Sequence, residues 1–245
     1  MTSLATWIFF LTPNLPPMSR AIFFSLLVSV SILFLSAQEN EWGIGLIMPA
    51  GNQVFSLRIY DSPDHDEIDG LVLREEPYQA LMWKNAETDV REQLSHAGTI
   101  EFDYEISGLT VYAEQINYYQ VFSPDPSQAR WVRKRDLLME GVVYADWMEF
   151  MIHYPETLFP GALGINMNVR DKPSVEGKKL LTANSDRFFI EPTGRSQGLW
   201  AEVVVSEYSG EYCSGDEILI RQVTGWVKML DDAGYPNLWY YTRGC

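Results

Sequence analysis

The residues that could carry out chemistry in this chain are few and widely spaced. Its three histidines are His65, His96 and His153, and none lies four residues from another or next to a cysteine. A zinc site needs three or four ligands that converge on one point. The spacing therefore predicts surface histidines and no metal site.

An acidic stretch from Asp61 to Gly70 has some features of a calcium loop. An EF-hand loop needs acidic or amide side chains at positions 1, 3 and 5, glycine at position 6 and glutamate at position 12. With Asp64 as the first position, the fifth is Ile68 and the glycine comes at the seventh. The register fails, so we interpret the stretch as a solvated turn, with an irregular calcium site as the alternative.

The sequence favours a protein without enzymatic activity and without a cofactor. No glycine-rich nucleotide loop is present, and no histidine lies close in sequence to either cysteine. Adjacent carboxylates such as Glu75-Glu76 and Asp231-Asp232 carry little information in a chain with 33 acidic residues. The alternative is a small secreted hydrolase whose pair of carboxylates meets only in the fold.

The net charge disfavours one class of partner. The chain has 18 basic and 33 acidic side chains, a net charge of −15. Residues 1–37 contain one basic residue, Arg20, and no acidic one, so the remainder has one basic residue fewer and a net charge of −16. Such a surface repels phosphate backbones and anionic lipids, so we expect no nucleic-acid partner.

Residues 1–37 have the pattern of a signal peptide. Arg20 precedes an apolar stretch from Ala21 to Leu35, and Ser36-Ala37 places small residues at the expected cleavage point. The apolar stretch is shorter than the roughly 20 residues that a membrane-spanning helix needs. We expect cleavage before Gln38 and export to the periplasm or the extracellular space. An uncleaved segment that anchors the protein to the membrane is the alternative.

Three short motifs follow one another in the last third of the chain. The first is Asn168-Val169-Arg170, followed by Pro173; the second is Trp200-Ala201-Glu202-Val203, and the third is Gly225-Trp226-Val227. The order N-V-R, W-x-x-V, G-W-V resembles the bacterial SH3-like (SH3b) domain. This resemblance implies a small β-barrel over residues 161–245 that holds a peptide, a protein or a cell-wall ligand.

Turn-forming residues support strands around these motifs. Pro173 cannot donate a hydrogen bond to a strand ladder, so the first strand must end near it. Gly225 permits close backbone approach before Trp226, and Asp231 to Gly234 is a hairpin signal. Short strands with a turn about every ten residues predict a mainly β chain. Another small all-β domain is the alternative to an SH3-like barrel.

The stretch of residues 38–160 contains weaker counterparts of the same motifs. Arg58 to Pro63 aligns with the first motif and its proline, Tyr118 to Phe122 with Trp200 to Val204, and Arg130 to Arg133 with Gly225 to Lys228. We expect a β-rich domain here. It is either a diverged second SH3-like barrel with an insertion inside Glu75 to Thr99, or an unrelated β-rich domain.

Two helices are expected near these barrels. Asn85 to Gln93, inside the insertion, has a helical character. Asp146 to Ile152, between the two barrels, has apolar residues at helical spacing and an aspartate that can cap its first turn. The predicted fold class is therefore mainly β, with one or two small SH3-like barrels and a short helical segment between them.

The resemblance also implies a ligand groove between the loops 171–186 and 192–199. The residues expected along it are Arg170, Asp186, Trp200, Trp226, Tyr240 and Tyr241. Arg170 offers a planar fork to a carboxylate, which peptide stems and protein C-termini both present. The structural alternative is that Arg170 pairs with Asp171 or Asp186 to fasten the loop, and that both tryptophans are half-buried barrel residues.

Cys213 and Cys245 are the two cysteines of the chain. In an exported protein an even number of cysteines indicates a disulfide, whereas in a reducing compartment they would be incidental. The chain ends with Trp239-Tyr240-Tyr241 and Gly244-Cys245, which is similar to the ending of other secreted bacterial proteins. We therefore expect a Cys213–Cys245 disulfide that holds the C-terminus.

Overall fold

The computed structural model describes residues 42–51, 53–64, 66–76, 80–94, 98–210, 213–215 and 218–242. The predicted signal peptide lies outside these residues, and so does Cys245, so cleavage before Gln38 and the Cys213–Cys245 disulfide stay predictions. Within the described ranges, no helix is long and apolar enough to cross a membrane.

The mainly β fold class is confirmed. The described strands form two antiparallel sheets, and no closed barrel is found among them. The first sheet has the order β10-β1-β7-β8-β9-β2-β3-β4-β5, with β6 paired to β7. Its strands are β1 (Gly45–Pro49), β2 (Phe55–Tyr60), β3 (Ile68–Arg74), β4 (Met82–Asn85), β5 (Arg91–Gln93), β6 (Thr99–Asp103), β7 (Ile106–Glu114), β8 (Tyr118–Val121), β9 (Arg130–Arg133) and β10 (Val142–Asp146).

The second sheet has the order β12-β11-β15-β14-β13. Its strands are β11 (Met167–Arg170), β12 (Lys179–Ala183), β13 (Phe188–Gln197), β14 (Trp200–Tyr208) and β15 (Leu219–Lys228). Each of the three sequence motifs lies on a strand, as predicted. The predicted turn after them is also confirmed, because Gly234 has a φ of 89° and its backbone N–H donates to the Asp231 carbonyl at 3.1 Å.

Helix α1 (Lys134–Glu140) lies between β9 and β10 of the first sheet, and helix α2 (Trp147–His153) follows β10 and precedes the second sheet. The predicted helix after Asp146 is confirmed, and the Asp146 carboxylate accepts a hydrogen bond from the Glu149 backbone N–H at 2.8 Å. This is the cap that the sequence suggested. A short 3₁₀ turn, Gly161–Leu163, precedes the second sheet.

The helix expected over Asn85 to Gln93 is wrong, because this segment contains the end of β4, a turn and β5. The Asn85 side-chain oxygen accepts hydrogen bonds from the backbone N–H groups of Glu87 and Thr88 at 3.0 and 2.9 Å. Asp89 then adopts a left-handed φ of 57°. An asparagine that bonds its own following backbone reverses the chain, and this local bonding competes with a helix.

The core has two clusters of buried side chains. One lies within the first sheet and includes Ile59, Val121 and Val132. The other takes residues from both sheets and from α2, among them Leu46 and Phe150. The aromatic rings of Trp147 and Trp239 meet edge to face in this second cluster, with centroids 5.9 Å apart. Helix α2 and the C-terminal segment therefore pack into one core with strands of both sheets.

A four-strand unit recurs in the two sheets with the same order. In the first sheet the order is β8-β9-β2-β3, and in the second it is β14-β15-β11-β12. Tyr60 on β2 pairs with Trp131 on β9, as Arg170 on β11 pairs with Trp226 on β15. The register also shifts at the same place, immediately before Tyr60 and immediately before Arg170.

The correspondence between the two sheets extends to the next strand. Trp131 lies opposite Gln120 in the first sheet, and Trp226 lies opposite Glu202 in the second. These matches follow the sequence alignment of the motifs residue by residue. The two sheets thus contain one strand arrangement twice.

Candidate binding site

The outer face of the second sheet brings three of the predicted site residues, Arg170, Trp200 and Trp226, together around Glu202. Arg170, Trp226 and Glu202 follow one another directly across β11, β15 and β14. Directly opposed residues of an antiparallel pair project from the same face of the sheet. Ala201 and Val203, which alternate with Glu202, are fully buried in the core, so this row lies on the face that points away from it.

Trp200 belongs to the same face, because it precedes Glu202 by two residues and strand side chains alternate. It pairs with Lys228 on β15. Both tryptophans are half-buried, as the structural alternative expected, yet they project from the outer face. Trp200 and Trp226 therefore flank one acidic side chain on an aromatic surface of the sheet.

Glu202 is the centre of this surface and is only 8% exposed. Its Oε2 accepts hydrogen bonds from Arg195 Nε at 2.5 Å and from Thr193 Oγ1 at 2.9 Å, and its Oε1 accepts one from Arg195 Nη2. A two-point contact between guanidinium and carboxylate is strong and directional. The acid is therefore neutralised within the sheet and locked in one orientation beside Trp226.

Arg170 fastens the loop that follows its strand. Its Nη1 donates a hydrogen bond to the Gly177 carbonyl at 2.6 Å. Asp171 and Asp186, the partners expected in the structural alternative, have other contacts. The Asp171 carboxylate accepts from the Lys178 backbone N–H at 2.8 Å, and Asp186 accepts from Tyr241. The loop-fastening role is thus present, with a backbone carbonyl as the acceptor.

The other three predicted residues lie outside the strands that carry this row, Asp186 between β12 and β13, and Tyr240 and Tyr241 after β15. The Tyr241 hydroxyl donates to Asp186 Oδ2 at 2.6 Å, and the Tyr240 hydroxyl donates to the carbonyl of Phe102 on β6. Burial raises the pKa of Tyr240. Tyr240 and Tyr241 line a cavity of about 420 Å³ together with Phe102 and Tyr154. These residues join the two sheets and take no part in the row around Trp226.

Sequence reasoning missed Glu202, Arg195 and Thr193. The signal for Glu202 is the alternation inside Trp200-Ala201-Glu202-Val203, which places Trp200 and Glu202 on the same face of one strand. No comparable signal marks Arg195, because the register of β13 shifts between Pro192 and Ser196. A register shift of this kind changes which side chains share a face.

One sequence pattern in this region has catalytic associations. Gly194-Arg195-Ser196-Gln197-Gly198 matches G-x-S-x-G, the pattern of a nucleophile elbow. The elbow places its serine on a sharp turn from a strand to a helix. Here Ser196 lies on β13 and pairs with Ala201 across a hairpin. The local structure is therefore a strand-to-strand hairpin, which does not present the serine as an elbow does.

Two carboxylates of the acidic stretch 61–70 form ion pairs. Asp66 pairs with Arg133, and Asp69 pairs with Arg130. Among the residues that the structure describes, no group of three or more histidine, cysteine, aspartate or glutamate side chains is placed to hold a metal ion. His65 and His96 lie outside that part of the chain.

Comparison with protein-family models, with curated proteins and with solved structures finds no match.

Proposed function

We propose that this protein is an exported, non-enzymatic binding protein that uses an SH3-like domain, residues 161–245, to hold a peptide or protein ligand of the cell envelope. The observation that carries the proposal is the row Arg170–Trp226–Glu202 with Trp200 beside it. Large aromatic side chains and arginines supply most of the binding energy in protein interfaces.

The repeated strand order supports a tandem arrangement of two SH3-like units. On this proposal the first unit is the diverged copy, and α1 covers the part of its equivalent face around Tyr60. Tyr60, which corresponds to Arg170, is only 1% exposed, and its hydroxyl donates to Asp136 of α1 at 2.9 Å. The second unit has no such helix after its last strand, since the Asp231–Gly234 turn follows Lys228. The open face of the second unit is therefore the binding surface.

The charges on that surface favour an acidic ligand group. The side chains of Arg170, Arg195 and Lys228 surround the two tryptophans, and Glu202 is already paired with Arg195. Lys228 pairs with Asp232, which is 92% exposed. This group of three basic side chains is a local exception on a chain with a net charge of −15. A peptide or protein ligand can place a carboxylate against an arginine guanidinium and an adjacent apolar side chain against an indole ring.

Capture from envelope material tests the proposal. The protein lacking residues 1–37 is immobilised and incubated with a solubilised envelope fraction, and the retained peptides and proteins are quantified. We expect Trp226→Ala to reduce capture by more than about tenfold, because an interface anchor of this kind contributes more than about 1.4 kcal/mol. Tyr104→Ala removes an aromatic ring that is 53% exposed in the turn between β6 and β7, and it serves as the matched control.

Two results would contradict the proposal. One is equal capture by the wild-type protein and by folded Trp226→Ala. The other is the release of soluble fragments from the envelope fraction by the protein alone, because a binding protein leaves the covalent structure of its ligand intact. Circular dichroism establishes that each variant is folded before capture is compared.

A further inference from the structure

A cavity of about 580 Å³ lies on the first sheet, away from the surface just described. It is lined by Asp69, Trp83, Asn85, Glu92, Gln93, Leu94, Phe122, Ser127, Gln128 and Arg130. We propose that this cavity binds a neutral saccharide. The proposal concerns a second ligand class and does not depend on the function of the C-terminal sheet.

The insertion that distinguishes the first unit from the second builds one wall of the cavity. Strands β4 and β5 belong to this insertion, and the second unit has no counterpart of them in its strand order. Trp83 and Asn85 come from β4, and Glu92 and Gln93 come from β5. The remaining wall comes from β3, β9 and the segment after β8. The added hairpin thus creates a concave site on a unit that would otherwise have a flat face.

The floor of the cavity is aromatic. Trp83 and Phe122 meet edge to face with ring centroids 5.4 Å apart. The indole lies directly over Gly70, where an added Cβ would come within 2.3 Å of the Trp83 ring. Only a residue without a side chain leaves room for the indole at that position. The absence of a side chain at Gly70 therefore allows Trp83 to adopt this orientation.

Phe122 is held in an unusual backbone conformation. Its φ is +73°, in the left-handed region that a bulky residue rarely occupies. Gly98 lies against its backbone, and a Cβ on Gly98 would come within 2.7 Å of the Phe122 Cα. Backbone strain of this kind persists where the surrounding structure enforces it, and it is concentrated at binding and active sites. Two glycines and one strained residue thus place the two rings.

The polar groups around the rings suit hydroxyl groups. Gln93 and Gln128 have amides that both donate and accept hydrogen bonds, Asn85 offers its Nδ2 donors while its Oδ1 holds the β4–β5 turn, and Ser127 adds a hydroxyl. The charge of Arg130 is used by its ion pair with Asp69, and Glu92 is an additional acid that disfavours anions. Most of the lining is polar, with an aromatic floor, and this combination suits a small molecule that has one apolar face and many hydroxyl groups. A neutral sugar ring fits both features of the cavity. Its apolar face can pack against the indole, while its hydroxyl groups bond to the amides.

Isothermal titration calorimetry of the protein lacking residues 1–37 tests this site. The probes are cellotetraose, chitotetraose, xylotetraose and maltotetraose, each to about 10 mM, which detects dissociation constants in the millimolar range. We expect at least one to bind. We expect Trp83→Ala to abolish that binding and Gln128→Ala to weaken it by about tenfold, while Trp226→Ala leaves it unchanged.

Gln128 is exposed, so its variant keeps the test valid even where Trp83→Ala disturbs packing. Absence of binding by every probe would overturn the proposal. So would binding that both cavity variants retain at full strength. A loss caused by Trp226→Ala instead would assign the saccharide to the C-terminal sheet and would likewise overturn it. The capture experiment with envelope material is independent of all these outcomes.

Discussion

Arg170 lies directly opposite Trp226, across β11 and β15. This pairing joins the N-V-R motif to the G-W-V motif, which lie more than fifty residues apart in the chain. The corresponding pair in the first sheet is Tyr60 and Trp131. The same cross-strand position therefore has an arginine on the open face of one unit and a buried tyrosine under a helix in the other.

Gly225 is expected to be essential for this pairing. A Cβ at that position would come within 2.7 Å of the Arg170 carbonyl oxygen and 2.8 Å of Val169 Cγ1. Gly225→Ala should therefore destabilise the fold by about 1–3 kcal/mol, as overpacked substitutions do. Chemical denaturation measures this loss. Thr224→Ala, on the exposed neighbouring position of β15, is the control, and equal stability of the two variants would show that β11 and β15 have room to separate.

Arg170→Ala should cost about 1 kcal/mol of stability, because the bond to the Gly177 carbonyl is lost. Because both sheets share one core, the folding domain has about 200 residues, and for that size the loss corresponds to a decrease of about 2–4 °C in melting temperature. Calorimetry checks the value. Ligand capture by the folded variant should also fall, since the guanidinium lies in the row with Trp226. A variant that melts earlier and captures ligand normally would limit Arg170 to fastening the loop.

Gly161 and Asp186 should be energetically coupled. A Cβ on Gly161 would lie 1.9 Å from Asp186 Oδ1, an atom that is buried without a hydrogen-bond partner in the structure. Gly161→Ala should therefore destabilise the wild-type protein and cost much less in an Asp186→Ala background. A double-mutant cycle by urea denaturation should give a coupling of about 1 kcal/mol or more. Additive effects would mean that the Asp186 side chain can turn away.

Alkaline pH should weaken the fold through buried tyrosines. Burial, and then the hydrogen bond to Asp136, raise the pKa of Tyr60 above its ordinary value of 10.0. Burial also raises the pKa of Tyr119. A raised pKa means that the folded state holds its proton more tightly than the unfolded state does. This contribution is complete below pH 10 and is lost as the pH rises toward the folded pKa.

The melting temperature should therefore fall as the pH rises above about 10, and less steeply in Tyr60→Phe than in the wild type. Tyr104→Phe, at a position that is 53% exposed, should follow the wild-type curve. Identical slopes for all three proteins would show that Tyr60 ionises with the same pKa in the folded and unfolded states.

Local signals in the sequence predicted much of the fold. The three motifs, the helix capped by Asp146 and the turn at Asp231 all depend on residues within a few positions of one another. The sequence predicts a helix at Asn85, where the structure has a hairpin. Hydrophobic periodicity contains no signal for the side-chain hydrogen bonds that reverse the chain there. The two sheets share a core around Phe150, and no local pattern indicates such a contact.

The candidate site was predictable only in part, for a similar reason. Arg170, Trp200 and Trp226 lie in the motifs, so their strands and faces follow from the alternation of side chains. Asp186 ends one loop of the expected groove, and the resemblance places Tyr240 at the margin of that groove. Their actual contacts, with Phe102 and Tyr241, depend on how the C-terminal segment packs against α2 and β6.

The central claim is that the outer face of the second sheet binds a ligand of the envelope. Its most direct test is to record the indole N–H resonances of the tryptophans while soluble peptides, released from the envelope by limited hydrolysis, are added to the labelled protein. We predict that the resonances of Trp200 and Trp226 shift in a saturable way, while that of the buried Trp147 does not. Peptide binding that leaves the Trp226 resonance unmoved would contradict the account.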